Sequence, residues 1–469
     1  LWDPAEPHRG HYDNLGQPGR TWLLQLLSLH RVERLFAGHV HFAFCDRLGS
    51  LQYTIVPSTS FTRPGFGHLF TSAPAPEQGR DDAPKLGFYL CRIFDHRSDL
   101  HLIRTAGETN FTATQLITRP PAALQGAALA LTLTHPLCPT AEVPLAWPSV
   151  IRQRVRNDYP LLAVQEIGAT SVRVPWTDIE DTLQRKRLQY LRAEGIAVQA
   201  FVPFDDALDL HHLLDHYPDC ADRWEVQTTG EPMPDTTCLN LLADCSRRTP
   251  LSLSTIVPGE RIAGKQHSRT RLGFRLQELA TLNELLTDRA LILDSALCRI
   301  DAEDDPWTTV QRFRTLPRLS HIRRIDWLLT LPSRDDKAHA RLAAEALFAT
   351  ALLPDAQLYV DPILDLDRTM DIANGVLDRL CNPRPIFHAL RCLNTLLYAH
   401  RKAWVPEERE EKGVRILALR SEEDVLELLL PEEPVRWTSA SQRIYDLAGG
   451  TVAVDTDKVL IAGPSLVYT

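Results

Sequence analysis

The sequence predicts an α/β protein whose largest part is a (β/α)8 barrel. Three observations carry that prediction. From Ala127 onward, strand-length apolar runs alternate with helix-length segments, the pattern of strands paired with crossover helices. Eight such pairs occupy about 270 residues, the number and size of a (β/α)8 barrel. No Gly-x-Gly-x-x-Gly follows the first strand, which weakens the runner-up, a doubly wound open sheet of the dinucleotide-binding kind.

Taken in order, the predicted strands are 128–134, 171–174, 197–202, 224–227, 251–256, 290–293, 324–330 and 357–360. Predicted helices between them include 181–194, 205–216, 269–286, 308–316 and 337–352. The acidic run 301–305 lacks the glycine and terminal glutamate of a calcium loop. It reads as the cap of the next helix, with Pro306 in its first turn. A final helix, 385–400, is amphipathic through Phe387, Leu390, Leu393 and Leu397. A charged stretch, 406–412, reads as a linker. Short alternating runs at 414–419, 425–430, 444–447, 451–454 and 459–461 then predict a small β-sandwich-like domain. Before the barrel, 108–126 reads as a linker stiffened by Arg119-Pro120-Pro121. The expected parts are therefore 1–107, a linker at 108–126, a barrel at 127–402 and a β-domain at 412–469.

Composition bounds the function classes. The chain has 469 residues, 44% hydrophobic and 24% charged, ordinary values for a globular protein. A net charge of −9 argues against a general nucleic-acid binder, which needs a basic stripe. No apolar run reaches the roughly 18 residues of a membrane span. Nine cysteines without a Cys-x-x-Cys pair suggest neither a zinc ribbon nor a disulfide framework, and a reducing cytoplasm is the expected location.

The amino-terminal part carries the sharpest motif, Leu35-Phe36-Ala37-Gly38-His39-Val40-His41-Phe42. An apolar strand ends in a glycine, and extended backbone would point His39 and His41 the same way. Imidazole ligates several first-row metals. This stretch resembles the last metal-binding motif of the calcineurin-like metallophosphoesterases, Gly-His-x-His. A helix at 20–27, a polar turn at 46–50, a strand at 51–56 and a hairpin flanking His96-Arg97-Ser98-Asp99 fit the closing part of such a domain. The resemblance implies metal-ligand roles for His39 and His41. It implies two divalent transition metals, Mn, Fe or Zn, and a phosphoester substrate. The family's earlier blocks, Asp-x-His, Gly-Asp-x-x-Asp and Gly-Asn-His-Asp/Glu, do not occur in these residues. The expectation is an amino-terminal truncation of a longer enzyme, this chain holding only its last motif.

In a barrel, a site belongs at the carboxyl ends of the strands. Those ends give His135, Trp176 with Asp178, Phe204 with Asp205, Glu225 with Glu231, Glu260, Asp294, and Asp361 with Asp365. Carboxylates beside an aromatic platform suit a sugar cleft. The candidate sugar site is Glu225, Glu231, Trp176, Asp205 and Asp361. Trp224-Glu225-Val226 and the segment from Asn382 to His388 resemble the clan of retaining glycoside hydrolases built on this barrel. That clan places Asn-Glu at the end of strand four and a glutamate at the end of strand seven. Here the first stretch is Gln227-Thr228-Thr229-Gly230-Glu231, and the second is Asp326-Trp327-Leu328-Leu329-Thr330-Leu331. The resemblance thus implies a carbohydrate-active or carbohydrate-binding barrel, inactive if Glu231 does not substitute. His212 and His216 have the spacing of a zinc helix without its glutamate, and read as a surface helix.

Overall fold

The computed structural model describes residues 15–62, 84–105, 114–116, 127–144, 152–204, 210–260, 269–300, 304–331, 335–365, 374–398, 403–438, 443–454 and 458–468. The chain divides into two compact units. One comprises Leu1–Thr109, Pro136–Glu166 and Leu377–Pro383, and the other comprises Asn110–His135, Ile167–Val376 and Arg384–Thr469.

The second unit holds the barrel. Its eight strands are β1 (Leu129–Thr132), β2 (Ser171–Pro175), β3 (Ala197–Pro203), β4 (Arg223–Thr229), β5 (Leu251–Glu260), β6 (Leu293–Ile300), β7 (Ile322–Thr330) and β8 (Gln357–Asp361). All pair in parallel with their sequence neighbours, and β8 closes on β1. Helices follow each strand in the chain: α1 (Tyr159–Ile167), all but its last residue in the first unit, then α2 (Thr182–Ala193), α3 (Leu210–His216), α4 (Thr236–Cys245), α5 (Leu279–Asp288), α6 (Pro306–Arg314), α7 (Asp336–Thr350) and α8 (Pro385–Tyr398) in the second. Asp181, Asp235, Asp305 and Asp335 cap α2, α4, α6 and α7 with side-chain oxygens on backbone N–H groups. Each satisfies donors that the first helical turn leaves without a partner.

The barrel interior is polar. In β2, Val172 and Val174 alternate with Ser171 and Arg173, and all four are buried. Period-two alternation puts the two sets on opposite faces. The Arg173 side chain lies inside the barrel, paired with Glu225 across from it. Barrel interiors are more often layered with branched aliphatic residues. Here guanidinium, carboxylate, amide and hydroxyl groups fill that space.

Three predictions are corrected. The strand expected at 290–293 begins at Leu293 and runs to Ile300, because Ala290 has a positive φ of 49° that ends the preceding helix. The helix expected at 269–286 is a strand, Arg269–Leu272, antiparallel to β5, followed by a short 3-10 turn and then α5. Gly273, at φ 88°, breaks the segment there. The charged linker expected at 406–412 is a strand, Val405–Glu411, paired along its length with Val414–Arg420. It is the edge of the carboxyl-terminal sheet, where charged side chains discourage further pairing.

That sheet has seven strands in the order Val405–Glu411, Val414–Arg420, Val425–Pro431, Ser465–Tyr468, Arg443–Asp446, Thr451–Val454, Thr114–Leu116. The last comes from the region read as a linker. A two-stranded sheet, Val435–Trp437 with Val459–Ile461, shares its core through Trp437, Ile461, Ile416 and Leu429.

In the first unit, Arg34–Ala37 pairs in parallel and Phe44–Leu48 antiparallel with Leu51–Ile55. The helix Gly19–Leu29 buries none of its residues. The hairpin Gly87–Phe94 with Arg97–Arg104 turns at Asp95-His96, tighter than the sequence suggested. A second hairpin pairs Thr140–Pro144 with Arg152–Arg156.

Candidate functional site

The histidines of the amino-terminal motif are not arranged as the sequence implied. His39 and His41 lie beyond the end of the strand at Ala37, with φ of 81° and 60°. That backbone is not extended, so strand alternation does not aim the two rings together. Burial acts on their neighbours instead: Val40 and Phe42 are fully buried and turn the histidines outward. His41 Nδ1 lies 3.0 Å from the Phe61 carbonyl, and its ring meets the Phe61 ring edge-on. Both histidines border a groove of about 500 Å³ walled by Phe36, Val56 and Phe88. Among the described residues, no group of three or more His, Cys, Asp or Glu side chains could hold a metal ion. The metallophosphoesterase and metal-binding reading of this part is therefore corrected, since the described residues assemble no such group around the motif.

The other candidate lies at the carboxyl ends of the barrel strands. His135 follows β1, and Asp178 sits in the short helix Trp176–Glu180 that follows β2. β1 and β2 are paired neighbours, so the two loops meet at the rim. His135 Nδ1 is 2.5 Å from Asp178 Oδ1, with the imidazole 44% exposed and the carboxylate fully buried. A carboxylate only accepts, so with Asp178 ionised the proton sits on Nδ1. Nε2 is then left as an acceptor, without a partner among the described residues. An imidazole oriented by a buried carboxylate in this way is a fixed acceptor or proton carrier. Sequence reasoning named both residues but did not pair them. The signal was the adjacency of the first two strands.

Trp176, the first residue after β2, and Phe204, just past β3, are both half-buried. Asp361 ends β8 and is half-buried. Burial raises its carboxyl pKa, Arg173 pulls it down, Glu225 raises it further and Arg299 lowers it. Glu231 is exposed in the loop after β4, where its carbonyl accepts from Thr255 Oγ1 at 3.2 Å. Asp205 and the Glu260 side chain lie outside the described residues.

Glu225 belongs to the barrel interior and not to its rim. It is four residues before the end of β4 and fully buried. Arg173 donates to it through Nε at 2.6 Å and Nη2 at 2.7 Å. Ser254 Oγ, Gln199 Nε2 and Gln227 Nε2 donate at 2.6, 2.7 and 3.2 Å. Burial alone would raise its pKa, but the guanidinium and these donors bring it below the ordinary value. With every lone-pair direction occupied, it has none left for a ligand. Asp294, expected at a rim, opens β6 at the opposite end and pairs with Arg223 at 2.7 Å. Asp365 is buried against the Gly375 N–H and Arg384.

β4 ends at Thr229 and β7 at Thr330. These are the positions where the glycoside hydrolase resemblance calls for carboxylates.

No family model matches the sequence, and no curated protein matches it. Among solved structures, the chain is similar to a family 39 glycoside hydrolase from the gut symbiont Bacteroides cellulosilyticus WH2. The identity is 12%, the match covers 70% of this chain and 87% of that one, and the TM-score is 0.46. It is also similar to the family 30 subfamily 8 xylanase Xyn30A from Clostridium acetobutylicum, at 12% identity over 76% and 94% of the chains, with a TM-score of 0.40. A GH30 endoxylanase from Clostridium papyrosolvens C71 matches at 9% identity over 76% and 97%, with a TM-score of 0.38. At such values the likeness decides nothing about chemistry, which has to be read from this chain's own residues.

Proposed function

We propose that the barrel mouth binds a carbohydrate and does not cleave it by the two-carboxylate route. The observation that carries this reading is the pairing of a rim equipped for recognition with strand ends not equipped for hydrolysis. Trp176 offers an aromatic face, the His135–Asp178 pair a fixed hydrogen-bond acceptor, and Asp361 a carboxyl in a partly dry setting. A site of few oriented polar groups beside aromatic walls is the usual make-up of a small-ligand pocket. Glycoside cleavage needs an acid and a nucleophile or base flanking one bond. Thr229 and Thr330 supply neither, and Glu225 is committed to Arg173.

Calorimetric titration with a panel of neutral oligosaccharides tests the proposal, beside a hydrolysis assay on the same sugars. Saturable binding without turnover is the expected result. Trp176→Ala and His135→Ala should each weaken it roughly tenfold, a loss of about 1.4 kcal/mol. Turnover abolished by Glu231→Gln would replace the proposal with a hydrolase that uses a shifted acid. Binding untouched by both rim variants would place the ligand elsewhere.

A further inference from the structure

At the other end of the barrel the charge distribution runs against that of the whole chain. Between Pro306 and Ile325 the sequence holds five arginines and no aspartate or glutamate, in a protein of net charge −9. The turn from α6 into β7 gathers Arg314, Arg318, Arg323 and Arg324 around one cleft of about 640 Å³, walled by Leu316, Leu353 and Ala356. Asp355 is the acidic residue in that lining. The cleft opens at the amino-terminal end of the barrel, because it reaches the first residues of β7 and the segment just before β8. A second cleft, about 290 Å³, shares Arg323 and adds Arg247 and Arg248, with Asp294 as its acid.

These guanidinium groups are unevenly engaged. Arg324 is held by Asp326 at 3.3 Å and Gln357 at 3.2 Å. Arg314 gives one nitrogen to Gln311 at 3.0 Å. Arg323 is 70% exposed and comes no nearer to Asp294 than 4.0 Å. Arg318 is exposed and has no partner among the described residues. Like charges gathered around one concavity repel, and an anion seated between them relieves that repulsion. Guanidinium is also the cation whose fork matches phosphate and sulfate oxygens in pairs. A volume of several hundred Å³ with a partly apolar wall suits a small molecule.

We propose that this cleft binds a small organic anion bearing more than one phosphate or sulfate group, with Arg318 and Arg323 as its principal contacts. The site is separate from the mouth and does not depend on the carbohydrate reading.

The test is calorimetric titration of the full chain at low salt with two probes, inorganic triphosphate and sucrose octasulfate. Saturable binding of at least one is expected, and which one binds identifies the anion's chemistry. Arg318→Ser with Arg323→Ser should weaken it roughly tenfold or more, while Arg436→Ser, an exposed arginine of the two-stranded sheet, leaves it unchanged. Should the double variant unfold, Arg318→Ser alone carries the test, since its side chain supports no described contact. Failure of both probes to saturate, or an equal loss in Arg436→Ser, would overturn the proposal.

Discussion

Arg173 and Glu225 are the residues on which the barrel interior turns. Each is almost completely buried, and the pair is surrounded by donors that occupy what the salt bridge leaves over. A buried ion pair returns little net stability against its desolvation, yet removing one partner leaves the other charged and unpaired. Arg173→Ala should therefore cost about 3–5 kcal/mol in urea unfolding, whereas replacing both by apolar residues of similar volume should recover most of it. Equal losses in the single and double variants would show that packing, not charge, is at stake. The pH sign follows from the lowered Glu225 pKa: the contribution is present above the unfolded value and lost as pH falls through the folded one.

At the scale of elements, one guanidinium shared by several carboxylates ties barrel helices to the carboxyl-terminal sheet. Arg415, in the strand Val414–Arg420, reaches Asp305 at the cap of α6 at 2.5 Å, Glu345 in α7 at 3.1 Å and Glu408 at 2.7 Å. Glu345 is the most buried of the three. Burial first, and the Asp305 charge second, push its carboxyl up to about 7, against about 4.3 in an unfolded chain. The folded state thus holds a proton that the unfolded chain has released. That preference is complete below the unfolded value and lost as pH rises toward 7. Glu345→Gln should gain in melting temperature relative to the parent as pH is raised from 5 to 8. Melting curves that stay parallel across that range would remove Glu345 from the account.

For the whole molecule, the carboxyl-terminal sheet is not a simple appendage. Its strand Thr451–Val454 pairs with Thr114–Leu116, residues that precede the barrel in the chain, so the sheet is built from both sides of the barrel sequence. Thr114→Pro with Gln115→Pro should keep the barrel but leave Thr451–Val454 with an open edge, a site for pairing between molecules. Concentration-dependent association of the double variant, absent from the parent, is the expected result in sedimentation. A variant that stays monomeric and melts like the parent would show the added strand to be dispensable.

Much of this was legible beforehand, and the reasons for success and failure differ. Strand–helix alternation revealed the barrel because burying strands under helices demands apolar runs of those lengths, and Asp305-Pro306 marked a helix start because capping is local chemistry. The paired histidines misled: spacing specifies side-chain direction only if the backbone is extended, and at His39 and His41 it is not. Val405–Glu411 was missed because an edge strand needs no apolar face, so its charges looked like a linker. Glu225 was named but misplaced, since its depth in the barrel depends on strands far away in sequence. The sequence by itself determined the eightfold alternation, the helix start at Asp305-Pro306 and the missing carboxylates at the ends of β4 and β7, all properties of short stretches. Only the tertiary structure joined His135 to Asp178 and sealed Glu225 against Arg173. Each of those depends on which distant strands become neighbours when the sheet closes on itself.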